Sequence, residues 1–210
     1  MRPRGSVNRD HGEKQERILQ AAAGCFARFG FHQSSMKEIC AAADMSPGSV
    51  YRYFPAKEDI VAAMIEADRR RWEQRFGQIP LENGFIAGLR FLADIGLQEL
   101  EGDGFLNLWI ETCAEAARNA KVAATMRQSY EIFESQLAEL VRESQRLGRV
   151  NPSLEPTATA RIILAAFDGL LLRRCFDPQL DVRATVQSFL TFLEAALSPQ
   201  AAPRPSRRTS

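Results

Sequence analysis

The chain has 210 residues, of which 45% are hydrophobic and 25% charged, and its formal net charge is +1. That composition excludes a chain disordered throughout and is ordinary for a folded globular protein. The small net charge hides an asymmetry: residues 1–57 carry nine Lys/Arg against five Asp/Glu, a net of +4, and the remainder is −3, so one end suits phosphate.

No apolar run approaches the roughly 18–20 residues of a membrane span. The polar start MRPRGSVNRDHGEK has no apolar stretch of the secretory kind. Both point to a cytoplasmic protein with no membrane partner. Cys25, Cys40, Cys113 and Cys175 are far apart, each in an apolar helical context, with no CxxC pair and no Cys/His spacing. They are expected as reduced, buried small hydrophobes, with no metal site and no cofactor; a redox sensor is the alternative.

The polar, basic residues 1–11 and the Pro/Ser/Arg-rich residues 198–210 are expected to be disordered. Between them the apolar spacing is helical. The first helix is expected at about 12–29, with Ile18, Ala22, Cys25, Phe26 and Phe29 on one face and Gly30 as its C-cap. A second starts after Ser35 and runs to about 43, opened by the capping box Ser35-x-x-Glu38. A third spans about 46–54 and stops at Pro55; a fourth spans about 57–76 with Ile60, Val61, Met64, Ile65, Trp72 and Phe76 as its apolar positions. Five more follow at about 82–100, 105–118, 120–147, 156–175 and 180–197, most of them separated by Gly- or Pro-marked breaks. This predicts an all-α fold: a three-helix head with a helix-turn-helix (12–56), and a larger six-helix ligand-binding and dimerisation bundle (57–197).

The informative stretch is 35–54. Two short helices joined by a brief turn have the form of a helix-turn-helix. Ile39 and Ala42 can face Val50 and Phe54, and the small residues 41–43 let the backbones approach. Asp44 sits in the turn, where one residue often needs a positive φ. Ser46 is a good N-cap and Pro47 suits the first helical position, while Gly48 and Ser49 keep that helix end small enough to approach phosphate. Tyr51, Arg52 and Tyr53 point at least partly outward and offer hydroxyls, a guanidinium fork and ring faces to a DNA groove. The alternative is a helical hairpin that merely packs.

These residues also carry a resemblance. RILQAAAGCFARFGF (17–31), Ser35, Ile39 and SPGSVYRYFPAKED (46–59) resemble the DNA-binding domain of the TetR/AcrR family of bacterial regulators, over about a quarter of the chain. The resemblance implies that Ser35, Tyr51, Tyr53 and Lys57 touch phosphates. It also implies that Lys37, Pro47, Gly48, Ser49 and Arg52 approach bases or the groove floor, with Ser46 capping their helix. Met36 departs from the Thr or Ser common in that family, and Asp44 from its usual Gly. The basic arm Arg2–Arg9 can enter a minor groove or remain a free tail.

The later helices carry more aromatic side chains than a thin bundle needs. Trp72, Phe76, Phe85, Leu89, Phe105, Trp109, Met126, Tyr130 and Phe133 can line a cavity for an apolar effector, with Thr112, Cys113 and Ser129 as polar groups. Plain core is the alternative for each. Ile162, Ile163, Ala166, Phe167 and Leu170, with Phe189, Phe192 and Leu193, form broad apolar faces on the last two helices. They are expected to form a twofold homodimer interface.

Only His11 and His32 are available to an acid–base site, and no nucleophile, phosphate-loop or metal arrangement emerges. The sequence therefore predicts a non-enzymatic transcription regulator that binds an inverted-repeat operator in double-stranded DNA. It is expected to be a repressor released by a small apolar effector through a tilt of the fourth helix. The alternatives are a ligand-dependent activator or a helical interaction module.

Overall fold

A computed structural model describes the backbone of residues 4–79, 84–101 and 104–199, and side chains from residue 11 onward. Among the described residues the regular structure is all α-helical. The elements are α1 (Arg4–Phe29), α2 (Met36–Ala42), α3 (Pro47–Tyr53), α4 (Lys57–Phe76), α5 (Phe85–Leu100), α6 (Phe105–Ala116), α7 (Ala120–Arg146), α8 (Pro156–Phe176) and α9 (Val182–Leu197). The expected starts of the fifth helix at 82 and of the C-terminal tail beyond 199 involve residues outside those described.

The first correction concerns the amino-terminal arm. Residues 4–11 are helical and continue α1, where disorder was expected. Extending an existing helix adds a hydrogen bond for each residue fixed, whereas starting one is costly. At the junction the His11 ring lies 4.6 Å from the Tyr53 ring, tying α1 to α3.

Local chemistry explains the helix ends. Ser35 Oγ accepts from Glu38 N, and Glu38 Oε2 accepts from Ser35 N at 2.6 Å, completing the expected capping box. Those bonds hold the Glu38 carboxyl below its ordinary range. Ser46 Oγ accepts from Ser49 N, with Pro47 at the first helical position of α3. Asp44 has φ +50°, the left-handed turn geometry its position called for. Arg17 secures that turn by donating to the Ala43 carbonyl at 2.7 Å.

Two apolar clusters hold the fold. One joins Ile18, Ala22 and Phe26 to Ile39, Val50, Phe54 and Ile60, and continues through Val61 and Ile65 to Val122. Apolar contact therefore crosses the expected domain boundary at residue 56. Phe29 is 43% exposed beneath the Arg28 guanidinium instead of completing the α1 core face. Ala43, the C-cap residue just beyond α2, is buried, whereas Ala42 is exposed. The second cluster packs α5, α7, α8 and α9 around Leu89, Leu137, Val141, Ile163 and Leu190.

Of the cysteines, Cys25 and Cys40 are buried, Cys113 is half-buried and Cys175 is exposed. The expectation of four buried thiols is met only partly at Cys113 and fails at Cys175, an exposed residue of α8.

Candidate DNA-reading surface and effector cavity

Val50 and Phe54 fill the core beneath α3, so the opposite flank faces out. Pro47, Gly48, Tyr51 and Arg52 are exposed there at helical spacing, and Ser46 and Ser49 stand at its amino end. Lys37 and Ser35 are exposed at the start of α2. Tyr53 is half-buried: its ring packs against His11, and the Arg52 guanidinium lies 5.7 Å from its centroid.

Lys57 is placed differently from the phosphate-contacting role expected of it. Its ammonium donates to the carbonyls of Phe31 and Ser34 at 2.7 and 2.6 Å and sits 4.4 Å from the centre of the Phe31 ring. Two of its three protons are thus committed to joining α4 to the loop after α1. The neighbouring Ala56 N–H donates to Asp59 Oδ2, and Asp59 pairs with Lys121 of α7. The amino end of α4 is a structural knot.

A cavity of about 430 Å³ opens between α1 and α4 to α9. This lies within the roughly 300–1,000 Å³ of small-molecule sites. Trp72, Phe76, Leu89, Phe105, Trp109, Thr112, Met126, Ser129, Tyr130 and Phe133 line it. Two expected lining residues do not. Phe85 is buried in the core of α5, α7 and α9. Cys113 lies off the wall, with burial pushing its thiol up to about 11.

Several wall residues were not anticipated. Asp68 and Arg71 of α4 line the cavity, joined at 2.7 Å. Burial raises the Asp68 carboxyl above its ordinary range despite that partner. Asp168 of α8 also lines the wall, and Tyr130 Oη donates to its Oδ1 at 2.9 Å. Burial raises both groups' pKa values. The available signal was Asp168 itself, the single charge within the apolar run 162–172.

The expected dimer residues also divide. Ile163 and Leu193 are buried in the chain's own core, and Phe167 and Leu170 line the cavity. Phe189 packs edge-on against Phe167 at 5.6 Å. Ile162 and Phe192 are each 65% exposed, and Ala166 is half-buried. Ala165, Gly169, Leu172 and Phe176 extend the exposed row along α8. Because α8 is apolar on both sides, sequence periodicity did not distinguish its inner from its outer face.

Helix α6 touches cavity and head together. Leu108, Trp109 and Thr112 face the cavity. From the same helix Glu111 Oε2 accepts from the Phe31 amide at 2.8 Å, and the buried Glu115 lies 3.8 Å from His32 Nε2. Gly30, at φ +77°, ends α1 where the Glu111 carboxylate packs.

The head, its exposed α3 and a helical bundle enclosing a cavity define a class of DNA-binding regulators. Residues 18–64 match the model of the bacterial regulatory proteins of the tetR family, and residues 90–198 match that of the BetI-type transcriptional repressor C-terminal domain. The chain belongs to the tetR family and is a DNA-binding transcriptional regulator. It is 33% identical over 155 residues to the HTH-type transcriptional regulator UidR of Escherichia coli (strain K12), covering 74% of this chain and 78% of that one. The structure of Salmonella enterica GusR superposes with a TM-score of 0.72 at 30% identity, covering 87% of this chain and 96% of that one. A SmeT–triclosan complex shares the fold, with a TM-score of 0.77 at 20% identity and coverages of 92% and 98%. Among the described residues no helix is long and apolar enough to cross a membrane.

Proposed function

We propose that the protein is a repressor, acting as a homodimer on an inverted-repeat operator, that releases DNA when a small, largely apolar effector enters the cavity. The observation that carries this reading is α6, which lines the cavity with Trp109 and holds the Phe31 amide of the head with Glu111. Helix α4 adds a second route, since Asp68, Trp72 and Phe76 line the cavity while Lys57 anchors the head. A ligand that favours one disposition of these helices shifts the spacing of two heads in proportion to its differential affinity.

The exposed row Ile162, Ala165, Gly169, Leu172 and Phe176, with Phe192 of α9, supports a second copy as the partner. Small residues along it permit close helix approach, and a twofold axis would set two α3 helices against half-sites about 34–36 Å apart.

Selection from a random duplex pool should yield an inverted repeat, with binding that weakens steeply as salt rises. Arg52→Ala should lower discrimination by about 1–3 kcal/mol at one position in each half-site. Operator binding unchanged by Arg52→Ala would remove α3 as the reading element. Transcription from that operator should rise when the gene is deleted; a fall would make the protein an activator.

A further inference from the structure

The cavity wall is uneven in charge. Its charged members are Glu16, Asp68, Arg71 and Asp168, three acids against one base. The Arg71 guanidinium is joined to Asp68. Asp168 is left with a single hydrogen-bond donor among the described residues, the Tyr130 hydroxyl, and no Lys or Arg of those residues lies within ion-pair distance of it. One neutral donor does not offset a carboxylate withdrawn from water.

We propose that the cavity selects amphiphilic organic cations, with an aromatic or alkyl body in the apolar chamber and one ammonium group against Asp168. This rests on reading the cavity as the effector site and adds the chemical class of the effector. The body is set by the walls, where Trp72, Phe76, Trp109, Phe133 and Phe167 present rings. The head group is set by Asp168, whose second oxygen is available to a charged donor, with the Tyr130 ring hydrogen-bonded to it through the hydroxyl and the Phe133 ring next to Tyr130 on the same cavity wall, since aromatic faces attract cations. The raised pKa of Asp168, caused by burial, agrees with a carboxylate that lacks its counter-ion.

Other ligand classes fit less well. An anion would face three acids with one committed base. A polyol needs several partners for its hydroxyls, whereas Thr112 already donates its hydroxyl to the Leu108 carbonyl at 2.8 Å.

Quenching of Trp72 and Trp109 in the full chain tests the assignment, using four probes: 4-phenylbutylamine, 4-phenylbutan-1-ol, 4-phenylbutanoate and phenyl β-D-glucoside. The amine should bind about tenfold or more tighter than the alcohol, as expected for a desolvated cation beside a carboxylate and aromatic faces. The carboxylate should bind most weakly. Asp168→Asn, which still accepts from Tyr130, should bring the amine to the level of the alcohol without weakening the alcohol. Tyr130→Phe, which leaves the carboxylate in place, should keep the preference and serves if the Asn variant fails to fold. An amine no tighter than the alcohol overturns the inference, as does a preference that survives in Asp168→Asn or a glucoside that binds best. If the alcohol and every other probe leave the fluorescence unchanged, the effector-cavity reading fails and this inference falls with it. Binding of the alcohol without selectivity removes only the cation.

Discussion

Replacing Lys57 with Met separates two roles that the residue could play. The Met side chain keeps much of the apolar stem but deletes the ammonium that donates to the Phe31 and Ser34 carbonyls at 2.7 and 2.6 Å. Hydrogen bonds involving a charged group contribute about 1.5–3 kcal/mol each, and the cation over the Phe31 ring adds roughly 0.5–1 kcal/mol. Lys57 is only half-buried, so water reaches the vacated carbonyls and offsets part of even the lower-end sum of about 3.5 kcal/mol. The expected net loss is about 2–3 kcal/mol. For a chain of this length that corresponds to a fall in Tm of about 5–10 °C. Thermal unfolding at low and moderate salt would measure it, beside operator titrations by fluorescence anisotropy over a salt series. If Lys57 is a structural tie, the salt slope of binding stays unchanged in the folded variant, because no phosphate contact is lost. An unchanged Tm, with a salt slope smaller by about one phosphate equivalent, would refute the structural assignment and restore the phosphate contact.

Other residues give sharp outcomes. Asp44, at φ +50°, should tolerate Gly and resist Ala, with the Ala variant less stable than the Gly variant by about 1–2 kcal/mol in urea unfolding; equal stabilities would show that the turn relaxes. Glu111→Ala deprives the Phe31 amide of its acceptor and should cost about 1–2 kcal/mol, while Glu111→Gln, which still accepts, should recover most of it. Equal losses in chemical denaturation would mean that charge, not the hydrogen bond, matters there. Asp168 carries a pKa raised by burial, so the native state binds more protons than the unfolded state as pH rises past the ordinary carboxylate range. Its contribution to stability therefore falls with rising pH through that window. Without ligand, Asp168→Asn should melt above wild type at pH 7, with the difference vanishing below about pH 4. A variant that melts lower at pH 7 would show that the charge is already compensated.

Much of the head was legible because its signals are local. Capping boxes, a proline at the first helical position and a turn residue that tolerates positive φ act within four or five residues, so Ser35, Asp44, Ser46 and Pro47 announce their conformations from the chain alone. The inward position of Val50 and Phe54 follows from helical spacing, and with it the exposure of Tyr51 and Arg52. Periodicity also located the helices of the bundle to within a few residues.

The roles of long side chains and of two-sided apolar helices depended on tertiary packing. Lys57 reads as a free cation after the helix-turn-helix, yet the fold brings two carbonyls from a loop 23 and 26 residues away to its ammonium. On α8 the same apolar spacing serves a core at Ile163, a cavity wall at Phe167 and an exposed row at Ile162 and Phe176. A helix apolar all round carries no directional pattern, so only the positions of α7 and its other neighbours assign each face. By itself the sequence determined the helices, their caps and the exposed flank of α3, because those arise from interactions between near neighbours. Packing decided which residues enclose the cavity, that Asp168 faces it without a cation, and that α6 spans cavity and head, because each of these joins residues distant in the chain.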